Sequence, residues 1–237
     1  LTMKTFWKRL SAVFLVLTMI FVFAGIASVE ASGDNSGSAK NPVIFVHGYF
    51  DFKSGSFGKT NFGPMKDYLV GQGWPRHELY AIQYTNVIGC NINNAHELRN
   101  YVNWVRSQTG SNQVDIVAHS MGGLSSRYYI KDLGGTNHVG ALVTLGAPHY
   151  GTPLAYLAPG EGGRQMQPGS SFLNNLNSNT TPGNVSYTSI YTYPDELVPW
   201  WRSQVSGWNN IGGWYNMHLT MLFHSTAQWH VANNLTQ

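Results

Sequence analysis

The chain encodes an α/β fold, a minimal and mostly parallel sheet with helices on both faces. Two observations predict it. Short stretches such as "PVIFV", "VDIVA" and "VGALVTL" are apolar almost throughout, as strands buried on both sides must be. Between them lie segments with apolar residues at helical spacing, so strand alternates with helix and the crossovers cover the sheet.

The elements follow in order. Residues 42–48 read as a buried strand ending in glycine. Residues 62–71 are helical, with Met65, Tyr68, Leu69 and Val70 on one side, and Gly71 and Gly73 stop them. A second strand is expected over 78–84. A helix over 94–108 carries Leu98, Val102 and Val105 on one face and closes at Gly110. A third strand spans 114–118, a helix 122–133 ending at Gly134-Gly135, a fourth strand 139–145 and a fifth 185–191. Segment 151–183, thick with Gly, Pro, Asn and Ser, reads as an insertion with little regular structure. Its one short helix candidate carries Phe172, Leu173 and Leu176 behind a capping Ser170 or Ser171 and is expected to be a fixed wall of a groove, not a hinged lid. Ligands of such sheets bind beyond the carboxyl ends of the strands, which groups Gly48-Tyr49, Ser120, residues 147–149 and residues 193–195 on one rim.

The 237 residues suit one domain. Charged residues make up only 11%, and the net charge is +3. Leaving out Lys4, Lys8, Arg9 and Glu30 leaves 11 basic against 10 acidic residues, so no basic stripe argues for nucleic acid. Those three cations precede an apolar run over 10–26, and Val29-Glu30-Ala31 places small residues where a signal peptidase needs them. We therefore expect a signal peptide over 1–31 cut after Ala31, a polar linker over 32–40, a catalytic domain over 41–237, and secretion. Cys90 is the single cysteine, read as a small buried hydrophobe, and no residue spacing suggests a metal site.

The stretch Ala118-His119-Ser120-Met121-Gly122 joins a buried strand to a helix. A nucleophile elbow needs that context and small residues two positions either side of the serine, here Ala118 and Gly122. The turn would also aim the Met121 amide at an oxyanion beside Ser120. The hydroxyl needs a base, and the base needs a group to fix its tautomer, in the chain order Ser, acid, His. Downstream acids are Asp132, Glu161, Asp195 and Glu196. Asp132 reads as a solvated helix charge, Glu161 lies in the insertion, and Glu196 is expected to point elsewhere, which leaves Asp195. Of His218, His224 and His230, the first lies on a loop entering an apolar terminal helix and is the expected base; the other two fall further into that helix. His119 is excluded as base by adjacency, and His47 and His149 are expected to hold loops by hydrogen bonds.

The stretches "VHG", "DYLVGQGWPRHELYAI", "VDIVAHSMGG", "YYIKDLGG", "LVTLGAP", "YTSIYTYPDELV" and "HLTML" resemble the small secreted Bacillus lipases of the lipase A type, which are α/β-hydrolases. The resemblance implies Ser120 as nucleophile, Asp195 as acid, His218 as base, and the backbone amides of Tyr49 and Met121 as the oxyanion hole. The chain departs from that group in its longer segment between the fourth and fifth strands, which is similar to actinobacterial relatives. The implied activity is hydrolysis of carboxylic esters, as a triacylglycerol lipase or esterase, with a polyester depolymerase or cutinase-like esterase as the alternative; a non-catalytic binding protein on the same scaffold would need a lost triad member, and none is missing. The resemblance implies no cofactor, a lipid–water interface as the working partner, and no stable protein partner, so a monomer. Trp200, Trp201, Trp208, Trp214 and Tyr215 crowd the loops carrying Asp195 and His218, and most of these rings are expected at the site mouth.

Overall fold

The structure is a computed structural model that describes residues 40–49 and 62–236. The expected signal segment with its cut after Ala31, and the linker up to residue 39, lie outside the described residues.

Six strands among the described residues form one sheet in the order β2-β1-β3-β4-β5-β6, and every pairing is parallel. They are β1 (Val43–Val46), β2 (Leu79–Ala81), β3 (Val114–His119), β4 (Val139–Leu145), β5 (Ser186–Thr192) and β6 (Asn209–Gly213). The helices among the described residues are α1 (Gly63–Gly71), α2 (Asn91–Thr109), α3 (Gly122–Asp132), α4 (Gly160–Gln165), α5 (Ser171–Asn177) and α6 (Ser225–Ala232).

Strand β1 shows why the apolar runs are continuous. Val43 and Phe45 pack with α1 and α6 on one face, while Ile44 and Val46 pack with α2 and α3 on the other. Alternate residues point to opposite faces, so a strand covered twice needs an apolar residue at every position. From β1 the chain runs outward to β2 on one side, then returns to build β3 through β6 on the other. The reversal leaves a crevice above the adjoining ends of β1 and β3, the usual ligand site of such sheets.

Several elements differ from expectation. Only residues 79–81 of the second strand pair, because a 3₁₀ turn over Arg76–Glu78 takes up its start at the sheet edge. Helix α2 begins at Asn91, three residues early, with Cys90 half-buried at its N-cap and its thiol accepting from Gln165 Nε2 at 3.1 Å. Strand β6 was not foreseen. Its sequence, Asn-Asn-Ile-Gly-Gly, has neither apolar run nor alternation, yet its register with β5 runs from Thr188↔Asn209 to Thr192↔Gly213. A Cβ at Gly212 would lie 2.4 Å from the Tyr191 ring and one at Gly213 2.3 Å from the Tyr215 ring. The two glycines thus make room for aromatic rings laid across the edge strand. The insertion is also more ordered than its composition suggests: a 3₁₀ turn (Pro153–Tyr156) and two helices, α4 and α5.

Candidate active site

Ser120 sits between β3 and α3 with φ +54°, a left-handed conformation that a side chain rarely adopts. Its N–H donates to Leu145 O at 2.9 Å, and its carbonyl accepts from Gly123 N at 3.0 Å, so the turn is bonded on both sides. Its neighbours must be small. A Cβ on Gly122 would fall 2.5 Å from the His47 carbonyl, and one on Gly48 2.7 Å from Ser120 Cβ. The strain is held in place by backbone crowding between β1 and β3, a pattern concentrated at functional turns.

Asp195 lies in the turn after β5. Its Oδ1 accepts from the backbone N–H groups of Leu197 and Val198, at 2.9 and 2.7 Å. His218 Nδ1 approaches Oδ2 at 2.8 Å and Oδ1 at 3.0 Å, with the two side chains 2% and 1% exposed. An N–H on Nδ1 facing the carboxylate leaves Nε2 free of its proton, the tautomer a base requires. Gly146, at the end of β4, has φ +57°, and a Cβ there would lie 3.1 Å from both Asp195 Oδ2 and His218 Nδ1. The glycine therefore makes the space in which the dyad meets.

Ser120 and His218 both face one cavity of about 560 Å³, lined also by Tyr49, Leu154, Met166 and Leu197. Most of that lining is apolar, and Leu154, Leu157, Leu197 and Leu219 carry it to the surface, where each is exposed. The wall comes from residues 152–158 and Met166. Helix α5 does not line it: Phe172, Leu173 and Leu176 pack behind, against Met121, Leu124 and Met166. Its cap is Ser170, whose hydroxyl accepts from Leu173 N at 3.2 Å.

The oxyanion candidates also gather here. Met121 opens α3 directly after Ser120, and Tyr49 follows Gly48, whose backbone abuts Ser120. The Tyr49 hydroxyl donates to Pro159 O and so ties the end of β1 to the insertion. His47 accepts from Tyr84 N at Nε2, 3.2 Å, which leaves Nδ1–H to donate to Gly48 O at 2.9 Å. His149 bonds to Thr144 Oγ1 at 3.0 Å and to Arg127, and burial followed by the arginine charge holds it neutral, well below the usual histidine range.

Two residues set aside by sequence reasoning reach His218. Glu196 does not point elsewhere: its Oε2 accepts from His218 N at 2.8 Å. His119 Nε2 meets the His218 carbonyl at 2.9 Å. Adjacency in the chain ruled on side-chain chemistry at Ser120 and carried no signal about a loop 99 residues away. The remaining candidates lie elsewhere. Asp132 accepts from Asn175 Nδ2, Glu161 pairs with Arg164, and His224 caps α6 by accepting from Thr226 N at 3.3 Å, not from within the helix as expected. Of the five aromatics placed at the mouth, Trp208 and Tyr215 are buried, Trp200 is half-buried, and Trp201 and Trp214 are exposed.

The chain is similar to known lipases in sequence and in fold. The chain is 30% identical over 138 residues to a triacylglycerol lipase of Burkholderia plantarii, covering 56% of this chain and 36% of that one. It is 29% identical over 128 residues to a triacylglycerol lipase of Pseudarthrobacter phenanthrenivorans, covering 52% and 37% respectively. The matches thus span little more than a third of those relatives. Among solved structures, a Bacillus licheniformis lipase in its mature form superposes with a TM-score of 0.69 at 18% identity, covering 86% of this chain and 95% of that one. The family model for lipase (class 2) matches residues 40–226, the six strands and both loops of the dyad included. The chain belongs to the class 2 lipase family.

Proposed function

We propose that the chain hydrolyses carboxylic esters, triacylglycerols foremost, through a Ser120–His218–Asp195 triad. His218 Nε2 takes the Ser120 proton as Oγ attacks the ester carbonyl. The Tyr49 and Met121 amides stabilise the tetrahedral oxyanion. Asp195 holds the Nδ1–H tautomer and stabilises the imidazolium, which then protonates the departing alkoxide. A water deprotonated by His218 attacks the acyl-enzyme, and proton return to Ser120 Oγ frees the acid. No cofactor enters this scheme.

The observation that carries the reading is a serine in a left-handed turn that shares one mostly apolar cavity with His218, itself bonded to Asp195. The apolar lining suits acyl chains, and the exposed leucines around the mouth suit a lipid–water boundary. The basic and apolar leader over 1–31 supports export to where such substrates lie.

Ser120→Ala is expected to abolish hydrolysis of p-nitrophenyl esters with folding unchanged. A fluorophosphonate should label Ser120 alone, and label retained in the alanine variant refutes the assignment.

A further inference from the structure

His218 is gripped through both of its peptide groups. Its N–H donates to Glu196 Oε2 at 2.8 Å, and its carbonyl accepts from His119 Nε2 at 2.9 Å. The two holders come from different elements: His119 ends β3 directly before the nucleophile, and Glu196 follows the acid in the turn after β5. We propose that His119 and Glu196 are positioning residues, a clamp that sets the base against the nucleophile on one side and the acid on the other. The proposal rests on the triad reading above.

The loop needs such a clamp. His218 lies between edge strand β6 and a 3₁₀ turn over Thr220–Phe223, two residues after Asn216 at φ +70°. The bond from Nδ1 to Asp195 orients the ring, and Thr192 Oγ1, donating to Asn216 O at 2.7 Å, holds the chain two residues upstream, but neither bond fixes the peptides of His218 itself. A reacting group misplaced by about 1 Å can lose about 100-fold in rate. Bonding the peptides before and after the residue to the Asp195 turn and to the serine's own strand removes that freedom.

The residue types fit the task. His119 must carry its proton on Nε2 to donate to a carbonyl, so that nitrogen is committed to the His218 peptide. It is fully buried, and burial, followed by the neighbouring His218, lowers its pKa to about 3. Its ring centroid lies 4.8 Å from that of His218. A neutral donor so close does not repel the imidazolium that forms on His218 during turnover, whereas a lysine or arginine there would. Glu196 supplies an acceptor from an otherwise exposed side chain.

Four variants test the clamp on p-nitrophenyl butyrate, each titrated with fluorophosphonate so that kcat counts labelled serines. His119→Phe keeps a ring without the donor, and Glu196→Ala removes the acceptor. Each is expected to lower kcat by about 10- to 100-fold with KM within about twofold, because the loss falls on the transition state. His119→Gln places an amide donor near Nε2, and Glu196→Gln keeps an acceptor oxygen; each is expected to recover most of the loss. If His119→Phe fails to fold, the Glu196 pair on the surface turn decides. Unchanged kcat in Glu196→Ala, or equal losses in Glu196→Ala and Glu196→Gln, overturns the clamp while Ser120→Ala stays inactive. Turnover that survives Ser120→Ala overturns the triad reading instead, and the clamp with it.

Discussion

At the scale of single residues, Asp195 shows how the site holds a buried charge. Two backbone N–H groups and the His218 ring surround the carboxylate, so charge-assisted hydrogen bonds compensate its desolvation. Asp195→Asn keeps the shape but offers an amide hydrogen or a weaker acceptor to Nδ1. We expect kcat to fall by about 10⁴, the scale seen when a triad loses its tautomer anchor. Steady-state kinetics on a folded variant checks this, and a loss under tenfold would refute the role. Ser120 was legible because a strained turn restricts its neighbours to small residues, and such restriction is written locally. Glu196 was not, since nothing beside it in the chain shows that the His218 amide lies 2.8 Å from its carboxylate.

The insertion between β4 and β5 is the element on which expectation and structure differ most. Gly, Pro, Asn and Ser suggest a loose segment, but its polar groups are tied to the body of the fold. Arg127 of α3 donates to Leu176 O at 3.1 Å and to Asn177 Oδ1 at 3.0 Å, and also meets His149. Thr152 Oγ1 donates to Leu197 O at 2.6 Å, joining the cavity wall to the turn that carries Asp195. Burial lowers the Arg127 pKa to about 10, which keeps the guanidinium charged at neutral pH. Arg127→Leu should destabilise the protein by about 2–3 kcal/mol, because buried acceptors lose their donor. Urea unfolding measures the loss, and amide exchange over 171–177 should quicken. Arg127→Lys should not restore either, for a single ammonium cannot span three partners. Stability unchanged in both variants would show that the insertion is held by its apolar face alone.

For the molecule as a whole, the anchored wall bears on behaviour at a lipid surface. With the wall tied to the Asp195 turn through Thr152, we expect the rate on tributyrin to rise smoothly through the solubility limit. A sharp jump at the limit would reveal a lid that opens on lipid. A second global property follows from the buried histidines. His119 and His149 are held neutral, with pKa values below the ordinary 6.5, to about 3 in His119. Once unfolded they bind protons near pH 6.5, so the unfolded state gains protons that the native state refuses. Stability is therefore complete above about pH 6.5 and falls as the pH drops toward the folded values, by up to about 1.4 kcal/mol per pH unit for each histidine. Melting temperature measured from pH 7.5 to 4 should show this fall, and His149→Gln should reduce its slope. An identical slope in that variant would remove His149 from the account.

The sequence by itself determined the parallel α/β architecture, since strands covered on two faces must be apolar at each position and crossover helices must carry one apolar stripe. It also determined the tight turn around Ser120, because steric limits act along the chain, and it singled out Asp195 and His218, which the structure brings into contact. Only the tertiary structure decided strand β6, whose pairing is backbone to backbone and leaves no mark on a run of asparagine and glycine. It alone decided that Gly146 opens space for Asp195 and His218, and that His119 and Glu196 grip His218 from either side. Those contacts join segments far apart in sequence, and they exist only once the sheet has brought the carboxyl ends of β3, β4 and β5 together.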